Sequence, residues 1–277
     1  MLKDITLGQY VPGNSPVHRL DPRTKILGAS LFIVLLFLAK GLPGYLAVTA
    51  FSVLVVGLSS IPLSYLLRGL RPLLFLLVLT VGLQVFLTPG TPIWHWGPLV
   101  ATREGVSLGI FLSYRLVLLV FVTSLLTLTT SPIALTDGLE RLLQPFKRLG
   151  VPAHELAMMM TIALRFIPTL LEEADKIMKA QMARGADFET GNPLQRARGL
   201  VPLLVPLFVG AFRRADELAM AMEARCYRGG EGRTRLKQLR FAFVDLGALV
   251  AVTLLTASVV WLRLAWPAAS WLGPLGG

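Results

Sequence analysis

The run ILGASLFIVLLFLA, residues 26–39, decides the fold, because it is apolar almost throughout and holds no charged side chain. A helix that crosses a bilayer needs about 20 mostly apolar residues, so we expect this one to begin near Thr24. A second apolar run, 42–58, follows after only two residues, and its Pro43 is tolerated in the first turn of a helix. The two runs predict a tight helical hairpin in a membrane.

Three more apolar runs lie farther along the chain, at residues 70–87, 106–130 and 241–261. Hydrophobic residues make up 54 % of the 277-residue chain, and they are concentrated in these runs. A typical soluble domain has neither that proportion nor that distribution. The sequence therefore predicts an all-α integral membrane protein with about five transmembrane helices.

The basic residues predict the orientation of these spans. The basic cluster 19–25, the pair Arg68 and Arg71, and the charged segment 131–240 all fall on one side of the five spans. Lys and Arg are enriched in cytoplasmic loops, so that side is expected to be the cytoplasm. The N-terminus is then cytoplasmic, the C-terminus is outside, and the loop 88–105 faces outward.

The segment 131–240 holds many charged residues, yet its apolar residues recur at helical spacing. The pattern predicts a short helix near 135–146 and two long helices, 156–184 with Pro168 inside it and 200–225. Each long helix begins apolar and ends charged. We therefore expect a cytoplasmic or interfacial module of three helices, with the first halves of the long helices buried against the membrane helices.

These patterns divide the chain into three parts. Residues 1–130 hold four spans, residues 131–240 form the three-helix module, and residues 241–277 hold the last span and a tail. As an alternative, 156–171 or 200–212 are further spans. Both are shorter than the ~20 residues a span needs, and an arginine interrupts the first of them, which favours five spans.

A short phrase occurs twice, at the ends of the two long helices. EEADKIMKAQMAR occupies residues 172–184, and RRADELAMAMEAR occupies residues 213–225. Gly185 follows the first phrase and Cys226 follows the second. The residues shared by the two phrases are Ala174 and Ala215, Asp175 and Asp216, Ala180 and Ala221, Ala183 and Ala224, and Arg184 and Arg225.

Each Ala-Arg tip has two interpretations. A cation at a helix C-terminus is stabilised by the helix dipole by about 0.3–1 kcal/mol, so Arg184 alone could be a solvated cap that Gly185 terminates. The repetition of the tip at Arg225 favours docking instead. Small alanines allow close approach to the backbone, and an arginine pairs bidentately with a carboxylate. The pattern indicates that a two-part soluble partner is held at two equivalent points.

Arg115 lies near the middle of the fourth span, where a charge costs about 2.5–3.5 kcal/mol on insertion scales. Such residues face the protein interior or water, and no acid within the other spans is an obvious partner for it. We expect Arg115 to contact a partner in the membrane or to lie in a polar seam.

The residue counts and the absence of known motifs exclude several classes of protein function. Cys226 is the only cysteine, and the three histidines have no metal-ligand spacing, so no disulfide, metal or cofactor is expected. No phosphate-binding loop or catalytic motif occurs. The net charge of +11 follows the membrane flanks and does not indicate nucleic-acid binding. A permease of a conventional ABC importer, with its own solute pathway, and a membrane-embedded lipid-modifying enzyme remain the alternative functions.

Four motifs together closely resemble the T component of energy-coupling factor transporters, the EcfT/CbiQ family of vitamin and metal importers. They lie before the first span, after the fourth span, within the first long helix and at the two tips. The motifs are HRLDPRTK at residues 18–25 with Asp21 and Pro22, LTLTTSP at 126–132, RFIP from Arg165 to Pro168, and the tips Ala183-Arg184-Gly185 and Ala224-Arg225-Cys226.

The resemblance implies a non-enzymatic, multi-pass subunit of a prokaryotic cell membrane. In that family the coupling helices cross, and their arginine tips dock into two ABC-type ATPases, which hydrolyse ATP. A separate small membrane protein, the S component, binds the solute. Carried over, Arg184 would meet one ATPase and Arg225 the other. Cys226 departs from the usual glycine of the family.

Overall fold

The computed structural model describes residues 10–39, 41–96, 99–186, 188, 192, 194, 199–229 and 241–265. The basic run of residues 233–240, which precedes the last span, lies outside the described residues, as does Lys40. The chain forms two compact units. The described part of the first unit comprises residues 10–138 and 241–265, and that of the second unit comprises residues 139–229.

The first unit is a bundle of helices with one small hairpin. Its helix α7 (Pro132–Leu143) continues into the second unit. The other elements are α1 (Pro16–Arg19), α2 (Pro22–Leu38), α3 (Gly41–Ser59), α4 (Leu63–Leu70), α5 (Leu74–Leu87), β1 (Pro92–Trp96), β2 (Leu99–Thr102), α6 (Arg103–Thr129) and α10 (Phe243–Ala265).

Helix α2 lies at the centre of the first unit and packs against α6 and α10. Leu35 and Leu36 are adjacent in sequence and therefore point to different sides of the helix, yet both are fully buried. Phe32 joins them in one apolar cluster with Leu118 of α6 and Val259 of α10. The first apolar run, residues 26–39, therefore contributes several residues to the core of the first unit.

Five helices of the described residues are long and apolar enough to cross a membrane. The fold is that of an all-α membrane protein, as the sequence predicts. The set of five differs from the predicted one, because α2 has only 17 residues while the long helix α8 meets the length and hydropathy criteria. The five candidate helices, selected by length and composition alone, are Gly41–Ser59, Leu63–Leu87, Arg103–Thr129, Ala153–Ala183 and Phe243–Ala265.

The third span begins earlier than predicted. The sequence places Arg68 and Arg71 before a span at 70–87, but both arginines lie within the helical stretch Leu63–Leu87. A single 3-10 turn at Arg71–Leu73 joins α4 to α5 there. Pro72 has no N–H to donate, so the proline tightens the helix at that turn without ending it.

The predicted outer loop contains an antiparallel hairpin of β1 and β2 that the sequence analysis did not foresee. Thr102, its last residue, caps α6 by accepting a hydrogen bond from the Gly105 N–H (3.1 Å). Trp94 on β1 is exposed, as expected of an aromatic residue at a membrane interface.

The second unit contains two long helices, α8 (Ala153–Ala183) and α9 (Val201–Ala224), where the sequence predicts them. Helix α8 continues through Pro168. Leu203 of α9 is buried, whereas several other large apolar side chains in the first half of the helix are exposed. These are Val205, Phe208, Val209 and Phe212, which are 56–68 % exposed.

Candidate functional site

Helices α8 and α9 pack against each other in antiparallel orientation. Near the end of α8, Gln181 Nε2 donates to the Pro202 carbonyl at the start of α9 (3.4 Å). In the middle, Arg214 Nη2 lies 2.6 Å from Glu173 Oε2. Beyond the end of α9, Tyr227 Oη lies 3.5 Å from Nε2 of His154 at the start of α8. The three contacts together fix the direction of the pair.

The antiparallel arrangement places the two arginine tips at opposite ends of the pair. Arg184 ends α8 beside the start of α9, and Arg225 ends α9 near the start of α8. Helix α9 has 24 residues, so at 1.5 Å per residue the tips are about 36 Å apart along the helix axis. That separation allows two different proteins, or two subunits, to meet the tips.

The first tip closes with two backbone hydrogen bonds. The N–H of Gly185 donates to the Met182 carbonyl (2.9 Å), and the N–H of Ala186 donates to the Gln181 carbonyl (3.0 Å). Gly185 has φ +89°, a left-handed conformation that glycine adopts at little cost. This is the Schellman arrangement, which uses the last carbonyls of a helix and reverses the chain.

The second tip closes in the same way, with Cys226 in the place of glycine. Its N–H donates to the Glu223 carbonyl (2.8 Å), and the N–H of Tyr227 donates to the Met222 carbonyl (3.1 Å). Cys226 has φ +55°, so it makes the chain reversal itself, in a backbone conformation that glycine adopts at the first tip. The thiol is exposed.

Both arginines of the tips are exposed, as are the residues on either side of them. They are Ala183, Arg184, Gly185, Ala224, Arg225 and Cys226. Each arginine is the C-cap residue that follows the last helical residue, Ala183 or Ala224, and the negative end of the helix dipole stabilises its positive charge. The arrangement suits the binding of a carboxylate carried by a partner.

The two aspartates that lie nine residues before the tips have different surroundings. Asp175 accepts a hydrogen bond from Lys179 Nζ (2.7 Å), one helical turn along α8, and it is half-buried. Asp216 is exposed on α9. The alanines beside them differ too, because Ala174 is buried and Ala215 is exposed. The sequence repeat is therefore reproduced at the tips but not at the aspartates.

Arg165 and Pro168 lie in the middle of α8, and both are exposed. Pro168 cannot donate to the Leu164 carbonyl, so α8 lacks one backbone hydrogen bond at this point. Neither residue is brought close to a tip, which lies more than a dozen residues away along the helix. The structure does not join this motif to the tips in one site.

Arg115 lies in the first unit, and its partners are aromatic instead of acidic. Its Nη2 and Nε donate to the Tyr45 hydroxyl at 2.7 and 3.1 Å. The guanidinium carbon also lies 5.2 Å from the centre of the Phe37 ring. These contacts supply a cation–π interaction and a hydrogen-bond acceptor for Arg115 without a second buried charge.

Asp21 and Pro22 begin α2, where Asp21 is the N-cap and accepts a hydrogen bond from the Arg23 N–H (2.9 Å). The Asp21 N–H donates to Asp245 Oδ1 (2.7 Å) in the first turn of α10. Asp21 and Asp245 are both buried. Lys25 donates to the Thr129 carbonyl at the end of α6 (2.9 Å), so the motif joins three helix ends.

Asp245, Glu173 and Arg214 are among the contacting residues that the sequence does not single out. Asp245 is an acid at the start of an otherwise apolar span, and that position was the available signal. Glu173 and Arg214 had no signal, because charged residues are common on exposed helices. Among the described residues, no group of three or more histidine, cysteine or acidic side chains is placed to hold a metal ion.

Comparisons with known proteins agree over most of the chain. A family model described as CbiQ, cobalt transport protein, matches residues 13–236. The energy-coupling factor transporter transmembrane protein EcfT of Thermosediminibacter oceani is 62 % identical over 265 residues, 96 % of this chain and 100 % of that protein. Proteins of the same name from Acidaminococcus fermentans and Bacillus subtilis are 57 % and 50 % identical, covering 96 % and 95 % of this chain and 98 % and 100 % of their own lengths.

Proposed function

The chain belongs to the CbiQ/EcfT family of transporter transmembrane proteins, and from this membership we propose that α8 and α9 couple ATP hydrolysis to solute uptake. Its relatives are named as the transmembrane protein of an energy-coupling factor transporter, and this chain is such a component rather than an enzyme. Partner subunits then carry out the hydrolysis of ATP.

The first part of the proposal concerns two ABC-type ATPases. The observation that carries it is the pair of tips, which share one backbone closure and lie at opposite ends of an antiparallel helix pair. Each exposed arginine engages a carboxylate in a groove of one ATPase. The neighbouring alanines, Ala183 and Ala224, leave room for the groove wall to approach the helix backbone.

The second part concerns motion. ATP binding and hydrolysis change the distance between the two grooves, and the tips carry that change into α8 and α9. Because the Glu173–Arg214 ion pair joins the two helices near their middle, the pair responds as linked rigid bodies instead of bending freely. Asp175, Asp216, Arg165 and Pro168 lie along these helices and act in positioning them.

The third part concerns the solute. A separate small membrane protein, the S component, binds a vitamin or a metal ion and contacts the exposed apolar half of α9. The exposed side chains of Val205, Phe208, Val209 and Phe212 form an apolar surface, which lipid or a partner protein would cover. In the first unit, the contacts of Arg115 with Tyr45 and of Asp21 with α10 hold the membrane helices together, and Pro22 begins α2 beside Asp21.

The fourth part concerns location. The protein lies in a prokaryotic cell membrane with its N-terminus and second unit on the cytoplasmic side, where the ATPases have access to ATP. The basic residues at positions 19–25 support this orientation, because lysine and arginine are enriched on that side.

Uptake and ATP hydrolysis by the reconstituted complex test the proposal. Removing one partner of a desolvated charge pair costs about 2–5 kcal/mol at an interface, so Arg184→Ala and Arg225→Ala should each reduce uptake at least tenfold. The double variant should be close to inactive. A solvated cap predicts a loss of at most about 1 kcal/mol and normal uptake.

Arg213→Ala is the matched control for this test. Arg213 is also an exposed arginine on α9, and its ion-pair partner among the described residues is Glu217, one turn away (3.3 Å). Exposed pairs of this kind contribute little, so the control should transport normally. Wild-type uptake in both tip variants and in their combination would end the docking proposal.

A further inference from the structure

The first unit contains a cleft of about 390 Å³ between α2, α3, α6 and α10. Small residues on two of these helices create the space, with Gly28 and Ala29 on α2 and Ala248 and Ala251 on α10. A Cβ atom at Gly28 would lie 4.0 Å from the Val252 side chain, an ordinary van der Waals distance, so a methyl group would fit at this position without a clash. The small side chains of α2 and α10 line the cleft together with residues of α3 and α6.

The wall of the cleft is almost entirely apolar. Phe32 of α2, Phe51 and Val55 of α3, and Leu125 of α6 contribute the larger side chains. A space of this size lined by apolar groups offers a water molecule few hydrogen bonds. Its chemistry suits a hydrocarbon chain.

One end of the cleft is polar. Lys25 lines it, and two of the three donors of this ammonium are used by the carbonyls of His18 (3.2 Å) and Thr129 (2.9 Å). Thr24 lines the same end. Thr24 is only 4 % exposed, and its Oγ1 has no hydrogen-bond partner within the described residues. A buried hydroxyl without a partner is costly, so this end is suited to a ligand with polar atoms.

No hydrogen bond joins the Lys25 ammonium to the two nearby acids in the described part of the chain. Asp21 Oδ1 accepts from the Arg23 N–H, Asp21 Oδ2 has no hydrogen-bond partner among the described residues, and the Asp245 oxygens accept from the N–H groups of Asp21 and Ala242. Lys25 lies in the first turn of α2, so it is at the edge of the bundle where lipid headgroups begin. An anionic headgroup at this depth would have both charge and hydrogen-bonding complementarity.

We propose that the cleft binds one acyl chain of an anionic phospholipid from the surrounding bilayer, with its headgroup at Lys25 and Thr24. The acyl chain occupies the apolar volume between α2 and α10, and a headgroup oxygen accepts the remaining proton donor of Lys25. The lipid fills the gap between α2, α3, α6 and α10 and makes the bundle sensitive to the composition of the membrane.

Native mass spectrometry of the whole chain tests this proposal. Delipidated protein is titrated with phosphatidylglycerol or with phosphatidylcholine of the same acyl chains. Wild-type protein should retain one phosphatidylglycerol on the order of tenfold more strongly than phosphatidylcholine, the factor expected of one charge-assisted hydrogen bond. Ala251→Phe places a ring in the cleft and should abolish this retention.

Leu254→Phe is the matched control, because it adds a ring on the same helix at an exposed position that does not line the cleft. It should retain the lipid as the wild type does. Lys25→Met should keep the bound acyl chain but lose the preference for phosphatidylglycerol. Equal retention by wild type and Ala251→Phe would overturn the assigned cleft, and equal retention of the two lipids by wild type would overturn the assigned headgroup contact.

Discussion

Cys226 holds a left-handed backbone conformation that glycine adopts at the matching position of the other long helix. For a residue with a Cβ atom this conformation costs about 1–2 kcal/mol, while glycine loses roughly 0.5–1 kcal/mol more in backbone entropy on folding. Cys226→Gly should therefore stabilise the second tip by up to about 1 kcal/mol. The thermal unfolding midpoint of the purified protein measures the change, and uptake should be preserved.

The control for this prediction is Gly185→Ala at the first tip. Gly185 has a similar positive φ, so the added Cβ should destabilise that helix end by about 1 kcal/mol. Loss of uptake in Cys226→Gly at unchanged or higher stability would contradict the interpretation of Cys226 as a glycine replacement, because it would give the thiol a function of its own.

At single residues, the sequence predicts which residues are unusual better than it predicts their contacts. The position of Arg115 within an apolar run indicates a polar seam, but its partner Tyr45 lies 70 residues away and carries no charge that would mark it. Cys226 shows the same limit. Its side chain predicts no left-handed backbone, so the chain reversal is visible only in the structure.

The contact between α8 and α9 includes one ion pair and one glycine near the middle of the two helices. Glu173 lies over Gly210, where a Cβ atom would be 3.1 Å from its Oε1, and its other oxygen contacts Arg214. Glu173→Gln keeps the shape of the side chain and removes the charge. We expect uptake to fall several-fold while ATP hydrolysis continues and the ATPases still co-purify, because the tips are intact.

Glu217→Gln is the control for this prediction, since it removes the same charge from an exposed pair within α9. Such a pair is worth about 0.3–0.5 kcal/mol, and uptake should be unchanged. If Glu173→Gln transports at the wild-type rate, the ion pair has no part in linking the two helices.

At the scale of elements, the length of an apolar run predicts the spans at α3, α5, α6 and α10, because a helix surrounded by lipid is apolar on all sides. Apolar periodicity predicts the two long helices. The sequence does not decide the role of a helix whose hydropathy and charge indicate different roles. Helix α8 is apolar enough in one window to count as a span and charged enough at its end to count as a coupling helix. The hairpin of β1 and β2 is too short to give a clear alternation.

At the scale of the whole molecule, the orientation of α8 decides whether it is a coupling helix. Single cysteines at Glu155 and Met182, near its two ends, are introduced after Cys226→Gly; both positions are exposed. A membrane-impermeant thiol reagent should label both from the cytoplasmic side, in inside-out vesicles only. Ile93→Cys on the exposed β1 strand should be labelled only from the other side. Labelling of positions 155 and 182 from opposite sides would mean that α8 crosses the membrane.

The central claim is that the two arginine tips, at opposite ends of one helix pair, hold two separate ATPase subunits. Ala183→Cys and Ala224→Cys occupy equivalent exposed positions beside Arg184 and Arg225, and both are made after Cys226→Gly. A short thiol-to-amine crosslinker is applied to the assembled transporter, and the products are identified by mass spectrometry. We expect each cysteine to crosslink one ATPase and the double variant to give one chain joined to two ATPases. Crosslinking of both tips to the same ATPase, or of neither tip to any, would contradict the account.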